Sequence, residues 1–498
     1  MDLETTPYFR NEPSIDFSQK ENQDALAKTV AQVQKQFGKT YPLIIDGRKI
    51  FEGELIEIKN PANLNESVGR VHLAEMKHLE MAIHAAERAF ETWRFIPYHE
   101  RAAKLLKAAE LARKRKLELS VWLSKENGKS IHEAVAEVAE GIDFMEYYAR
   151  RMNEIGSTPP HGISDVPGEK NRLEYLPLGI GAIIAPWNFP FAILAGMTTA
   201  AIVTGNTVLM KPSTNTPIIA CHVYELLEQA GFPNGVVNYS PARGGALGDA
   251  LIQHPRIRFI AFTGSTAVGK EIYKKAAPFS EGQIWFKRIL LETGGKNHVL
   301  VCPDADLQKA VEGVARAAFG YSGQKCSACA VAVVEDGIYD RFVPALVEYA
   351  KKLKLGEGSD PQNFTGPVIS EDAVQKILGY IEQGKKEGRL LAGGPRLENV
   401  NGKAGYYIEP TVFGDLPEHS RLLKEEIFGP VLTIRKVKNF EEGLRIANSI
   451  GYGLTGGVFT KDPRRKELAT RTHCPGTAQE YPVWETARGI VPVRGNEK

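Results

Sequence analysis

The feature that most constrains the fold of this 498-residue chain is a change of rhythm at Leu178. From there, short apolar runs (Ile180 to Ala185, Thr207 to Met210, Val236 to Tyr239, Ile257 to Phe262) alternate with helix-like segments at Ile218 to Ala230 and Leu247 to Gln253. Strands that alternate with helices imply a parallel sheet covered on both faces. The pattern resumes after Glu292, with strands at Val299 to Val301, Ala330 to Val334 and Val431 to Arg435 and helices at Leu307 to Phe319 and Tyr339 to Lys352. The chain is too long for one ordinary core, so the expectation is two doubly wound α/β units joined near Leu291.

Upstream, residues from about Leu73 to Ile155 contain few breakers and repeat apolar positions at helical spacing, with stripes at Ala82, Ala85, Ala86 and Ala89 and at Leu105, Leu106 and Leu111. Charged runs such as Arg113 to Lys116 read as solvated faces. Prolines and glycines between Ser157 and Pro177, with alternation around Arg172 to Leu176, suggest a loop or hairpin inserted between larger units. The apolar stretch from Phe189 to Met210 is interrupted by Pro190, Gly196, Thr198, Thr199, Thr204, Gly205 and Asn206, so it reads as a buried helix and strand rather than a membrane span.

Charge and cysteine content narrow the function. Sixty-two basic against 60 acidic residues leave a net charge of +2, which draws the chain toward neither nucleic acid nor an anionic membrane. Five cysteines are too few for a disulfide framework and fit a reducing compartment, and the first residues resemble no secretory or transit signal. A cytoplasmic enzyme is the expectation.

Four stretches could carry chemistry. Phe262 to Gly269 places Gly264 and Ser265 between a strand and a helix, where free N–H groups make an anion site; a plain structural cap is an equal alternative, and the glycine spacing is not the dinucleotide fingerprint. Gly320 to Cys329 puts Cys326 in a Gly/Ser-rich loop just after a helix. There Lys325 and backbone N–H groups favour a thiolate nucleophile, while Cys329 three residues on leaves redox chemistry, a zinc site or an inert thiol open. Glu292, ending an apolar run before Thr293-Gly294-Gly295-Lys296-Asn297, is either a general base or a cap. Asn188, in Ala185-Pro186-Trp187-Asn188-Phe189-Pro190, is either an oxyanion donor or a turn residue.

Taken in order, these stretches resemble the aldehyde dehydrogenase superfamily from about Tyr41 to Lys461, together with Lys211-Pro212-Ser213 and Glu425-Glu426-Ile427-Phe428-Gly429-Pro430. Gly323-Gln324-Lys325-Cys326-Ser327-Ala328-Cys329 and the opening Arg10-Asn11-Glu12-Pro13 are most similar to the branch that oxidises glutamate semialdehyde, the open form of Δ1-pyrroline-5-carboxylate, in proline degradation. The resemblance implies a Rossmann-like cofactor-binding domain (residues 1–158 and 179–291), an oligomerisation hairpin (159–178) and a catalytic domain (292–471). It implies Cys326 as nucleophile, Asn188 and the Cys326 N–H as oxyanion donors, and Glu292 as the base for the hydrolytic water. It implies an NAD or NADP site in which Lys211 and Glu426 bind ribose hydroxyls, Gly264, Ser265 and Gly269 shape the pyrophosphate turn, and Trp187 and Phe428 pack nearby. Phe189 and Ser327 would line the substrate pocket, and Cys329 would be a small buried thiol. No metal is implied, and the partners are a small aldehyde and further copies of the chain where the C-terminus permits. Other small aldehydes, such as succinate semialdehyde or a betaine precursor, remain alternative substrates.

Departures from the family pattern carry expectations too. Thr214 stands where strictly NAD-using relatives often carry Glu, which leaves NAD against NADP open. Thr293 replaces Leu or Met, and Ala330-Val331 replaces Ser-Arg. From Thr472 to Lys498 the sequence reads as a divergent tail without the family's substrate loop and final strand. Such a tail would leave a strand edge unpaired and weaken turnover while sparing cofactor binding.

Overall fold

The computed structural model describes residues 9–157, 167–171, 173–472 and 477–480. Its first seven-stranded sheet runs Arg288–Glu292, Ile257–Thr263, Ile180–Ile184, Thr207–Lys211, Val237–Tyr239, Leu43–Ile45, Arg48–Ile50. The first five strands are parallel; Leu43–Ile45 pairs antiparallel with Val237–Tyr239, and Arg48–Ile50 pairs antiparallel with Leu43–Ile45. Ile180–Ile184 and Thr207–Lys211 are buried on both faces, which is why they read as continuous apolar runs rather than alternating ones. The chain lays down 180–184, 207–211 and 237–239 in one direction, then crosses back to 257–263 and 288–292 on the other side. Where an open parallel sheet reverses its winding, a crevice opens outside the carboxyl ends of the strands. Here it lies beyond Ile184 and Thr263.

The second seven-stranded sheet runs Arg389–Ala392, Thr411–Gly414, Val431–Val437, Cys329–Glu335, Asn297–Val301, Thr455–Phe459, Thr477–Glu480, all parallel except the first pair. Helices Leu307–Phe319 and Asp336–Lys351 pack on one face of it, around Val299, Val301 and Phe342. Helix Phe440–Ala447 packs on the other, around Leu300 and Val333. Two doubly wound units are therefore present, as the alternation predicts. Thr477–Glu480, inside the segment read as a divergent tail, forms the edge strand beside Thr455–Phe459; the rest of residues 473–498 falls outside the described residues.

Helices Met76–Trp93, Tyr98–Lys114, Lys116–Asn127 and Ile131–Ser157 occupy the upstream stretch, with Ala82, Ala85 and Ala86 buried. The run Arg113 to Lys116 is only partly a solvated face: Arg113 and Lys114 are exposed, Arg115 and Lys116 are not. Arg113 and Lys116 both bond the buried Glu12 carboxylate, at 2.6 and 2.7 Å, and Asn11 donates to Asp143 at 2.8 Å. The opening Arg-Asn-Glu-Pro segment is thereby clamped onto the helical layer, a contact between residues about a hundred positions apart that charge patterning could not reveal. The stretch from Phe189 to Met210 forms the buried helix Ala192–Val203 and strand Thr207–Lys211, and no described helix is long and apolar enough to cross a membrane. Of the expected hairpin at 159–178, residues 159–166 and 172 lie outside the described residues, and 167–171 form no strand. Its remaining part at 173–178 forms no strand either, and Leu173, Tyr175 and Leu176 are exposed.

Candidate functional site

The carboxyl ends of the first sheet face the amino ends of the second, and all four motifs meet at that junction. On the first sheet, Trp187 and Asn188 follow strand Ile180–Ile184, Lys211 ends its own strand, and Gly264 and Ser265 follow strand Ile257–Thr263. On the second, Asn297 opens one strand, Cys326 lies just before another, and Glu426 and Phe428 precede Val431–Val437.

Helix Thr266–Ala276 begins at this edge. Ser265 caps it by accepting the Val268 N–H, which leaves other first-turn N–H groups facing the crevice. Gly264 is required sterically, because a Cβ there would run into the Phe262 ring. A Cβ at Gly269 would meet the Thr293 methyl at 2.9 Å, so the unusual threonine packs against this turn. Lys211 is half-buried, and burial lowers its ammonium to about 8. The rings of Trp187 and Phe428 meet edge to face at 5.4 Å, with Phe428 held in the left-handed region at φ 61°.

Cys326 is half-buried in a loop whose backbone is fixed from several sides. The preceding turn, Gly320–Gly323, holds Tyr321 and Ser322 at φ 50° and 53°, a conformation that costs a non-glycine residue about 1 kcal/mol or more. The turn persists because Ser322 donates its N–H to Thr365 at 2.7 Å and its hydroxyl to the Gly366 carbonyl at 2.6 Å. Asn188 donates to the Gln324 carbonyl at 3.0 Å, tying the first sheet to the loop. Asn297 donates to the carbonyls of Cys326 and Ala328 at 2.7 and 2.9 Å and accepts the Thr455 N–H at 3.0 Å. A Cβ at Gly295 would collide with the Cys326 carbonyl.

The electrostatics of Cys326 differ from the sequence expectation. Burial pushes its thiol up to about 11 and the Glu426 carboxylate adds to the rise, while the N–H groups of Ser327 and of Cys326 itself pull it down without prevailing. Lys325 does not supply the activating charge, because its ammonium donates to both oxygens of Glu133 at 2.7 Å. Cys329 is buried and its thiol donates to the Val331 carbonyl at 3.6 Å, which fits a packed thiol; among the described residues no His/Cys/Asp/Glu cluster could hold a metal.

Glu292 ends strand Arg288–Glu292 with its side chain exposed, and its carbonyl accepts the Gly264 N–H at 3.0 Å. The Thr293 to Gly295 turn carries the chain from this glutamate to the nucleophile loop. Glu426 bonds that turn through the Gly295 N–H at 2.9 Å, and burial raises its carboxyl. A cavity of about 630 Å³ borders the loop, lined by Ser327, Lys325, Glu133, Asn297 and Thr455 among others. Ser327 borders this cavity, whereas Phe189 seats against the Lys129 ammonium, 3.5 Å from its ring centre. Sequence reasoning missed Asn297, Gln324 and Thr365 as supports of the loop. Asn297 and Gln324 sit inside motif stretches, but nothing local shows which carbonyls they reach.

The sequence profile described as the Aldehyde dehydrogenase family matches residues 50–479. The 1-pyrroline-5-carboxylate dehydrogenase of Geobacillus kaustophilus (strain HTA426) is 46% identical over 461 residues, covering 93% of this chain and 88% of that one. A solved 1-pyrroline-5-carboxylate dehydrogenase from Thermus with bound NAD superimposes with a TM-score of 0.93 at 43% identity, over 96% of this chain and 91% of that chain. The betaine aldehyde dehydrogenase of Staphylococcus aureus, solved in complex with NAD+, gives 0.85 at 30% identity, over 91% and 89%.

Proposed function

Because the chain belongs to the aldehyde dehydrogenase family, we propose that it oxidises L-glutamate γ-semialdehyde, the opened form of 1-pyrroline-5-carboxylate, to L-glutamate with NAD(P)+ in proline degradation. The observation that carries this reading is the clamping of the Cys326 loop by Asn188 from one sheet and Asn297 from the other. The substrate follows the named relatives, which match far more closely than the betaine enzyme does.

The crevice fits a dinucleotide. It offers a capped helix N-terminus at Ser265, a glycine at 264 where a side chain would clash, and a half-buried lysine at 211. Ser265, with Gly264 and Gly269 shaping its turn, would hold the pyrophosphate, and Lys211 and Glu426 the riboses; Trp187 and Phe428 would pack against the cofactor. When bound, NAD(P)+ accepts a hydride from the substrate carbon.

The chain's own residues supply the rest. The Cys326 thiol is protonated in its buried setting, so a base must take its proton before sulfur attacks. The new C–S bond moves the carbonyl electrons onto oxygen, and the second Asn188 amide hydrogen and the Cys326 N–H stabilise that oxyanion. After oxidation the acyl group remains on sulfur as a thioester. Glu292, at the mouth of the crevice, takes a proton from water, the hydroxide adds to the acyl carbon, and the thiolate leaves.

On this reading residues 1–158 and 179–291 carry the dinucleotide and 292–471 the nucleophile. The reading extends to a cytoplasmic homo-oligomer. Exposed Tyr273, Phe279, Ile284, Phe286 and Leu290, next to the edge strand Arg288–Glu292, form a face that a second copy would cover. Steady-state NADH formation with glutamate semialdehyde, succinate semialdehyde and betaine aldehyde tests the assignment. The expected result is the highest kcat/KM with glutamate semialdehyde and no activity in Cys326→Ala. A higher kcat/KM for another aldehyde, or NADH binding with no turnover, overturns it.

A further inference from the structure

Lys296 is 1% exposed, and its side-chain nitrogen has no hydrogen-bond partner among the described residues. The other deeply buried lysines of this region differ: Lys125 pairs with Glu357, Lys129 with Glu137 and Lys325 with Glu133. An unpaired buried ammonium lowers stability, because burial removes its hydration and returns no bond. That cost points to a role in what Lys296 acts on.

Three observations point to Glu426. The Gly295 N–H, adjacent to Lys296, donates to Glu426 Oε1 at 2.9 Å. A Cβ at Gly294 would collide with the same carboxylate, which therefore lies flat on this turn. A void of about 20 Å³, room for about one water, is lined by Lys296, Glu426, Gly295, Gly323 and Cys329 among others. Against burial, which raises the Glu426 carboxyl, Lys376 from helix Glu371–Glu387 and, more weakly, Lys296 act in the direction that favours its carboxylate.

We propose that Lys296 is a positioning residue for the dinucleotide: through a water in this void, its ammonium holds the Glu426 carboxylate against the Gly294–Gly295 turn, where it receives a ribose. The inference rests on the proposed cofactor role of Glu426. The ribose concerned is the one bearing nicotinamide, because Glu426 touches Gly295 and Gly295 packs on the carbonyl of Cys326, which the ring must approach. The adenosine half, placed at Ser265 and Lys211 on the other sheet, is independent of Lys296.

That division supplies the test. NADH binding by fluorescence and ADP binding by calorimetry are measured below pH 7, where Lys296 carries its charge in the folded chain, for full-length wild type, Lys296→Met, Glu426→Gln and the double variant. Lys296→Met is expected to bind NADH about 10-fold more weakly and ADP within about 2-fold of wild type, and the double variant to lose no more than Glu426→Gln alone. Unchanged NADH affinity, equal weakening of ADP, or losses that multiply in the double variant overturn the proposal. If Lys296→Met does not fold, Lys296→Gln, which can bond the water without carrying charge, is expected to show the same selective loss. Wild type that binds no NADH fails the cofactor reading itself, a result distinct from wild type that binds and Lys296→Met that binds equally.

Discussion

Removing Asn297 isolates the support of the nucleophile from its chemistry. Its buried amide makes three bonds, to the Cys326 and Ala328 carbonyls at 2.7 and 2.9 Å and from the Thr455 N–H at 3.0 Å. At about 1 kcal/mol net per bond, Asn297→Ala forfeits about 3 kcal/mol. Asn297, Ala328 and Thr455 all border the cavity of about 630 Å³, so water can reach the exposed groups and part of that loss is recovered. The larger effect is positional. With one support of its carbonyl gone, Cys326 moves relative to Asn188, and a displacement near 1 Å is worth about 100-fold in rate. The expected result in steady-state assays is a kcat lower by about 100-fold with NADH affinity unchanged, since no Asn297 bond reaches the Ser265 turn. Asn297→Asp should fall at least as far, because a carboxylate oxygen would oppose two carbonyls while still accepting from Thr455. Wild-type kcat in Asn297→Ala, or a parallel loss of NADH binding, would refute the reasoning.

Gly295→Ala should lower kcat strongly while the purified protein still binds ADP, because its Cβ displaces the Cys326 carbonyl rather than the Ser265 turn; retained kcat would count against the close packing. Without cofactor, alkylation of Cys326 by iodoacetamide should keep rising with pH through pH 9, since burial holds the thiol near 11 and the thiolate fraction grows about tenfold per pH unit below that; a plateau near pH 7 would contradict it. Lys296 is lowered from 10.5 to about 7, so between those values the unfolded chain holds a proton that the folded chain has released, and wild-type stability rises with pH. Lys296→Met should therefore have its largest advantage in urea midpoint at pH 7 and below, where the folded chain carries the buried ammonium, shrinking toward pH 10; a constant difference would show that burial does not lower Lys296.

What the sequence shows and what it hides divide along a physical line. The strands at 180, 207, 257, 299 and 431 were legible because burial on both faces of a parallel sheet leaves unbroken apolar runs. The residue types at 188, 292 and 326 were legible because their motifs are local. Electrostatic partners were not. Lys325 stands beside Cys326 in sequence, which invited a role in activating the thiol, yet its charge is spent on Glu133, 192 residues away. Lys116 likewise reads as a surface charge until Glu12, 104 residues upstream, closes on it. The left-handed turn at Tyr321 and Ser322 is equally hidden, since it is held by Thr365 and Gly366 rather than by its own side chains' preferences.

The central claim is that Cys326 carries the acyl group between oxidation and hydrolysis. Its most direct test is acid-quench mass spectrometry of Glu292→Gln mixed with glutamate semialdehyde and NAD+, because loss of the hydrolytic base should leave the thioester in place. The account requires a glutamyl adduct on the peptide containing Cys326, formed together with one equivalent of NADH. NADH formation with that peptide unmodified, or with the adduct on another residue, would contradict it.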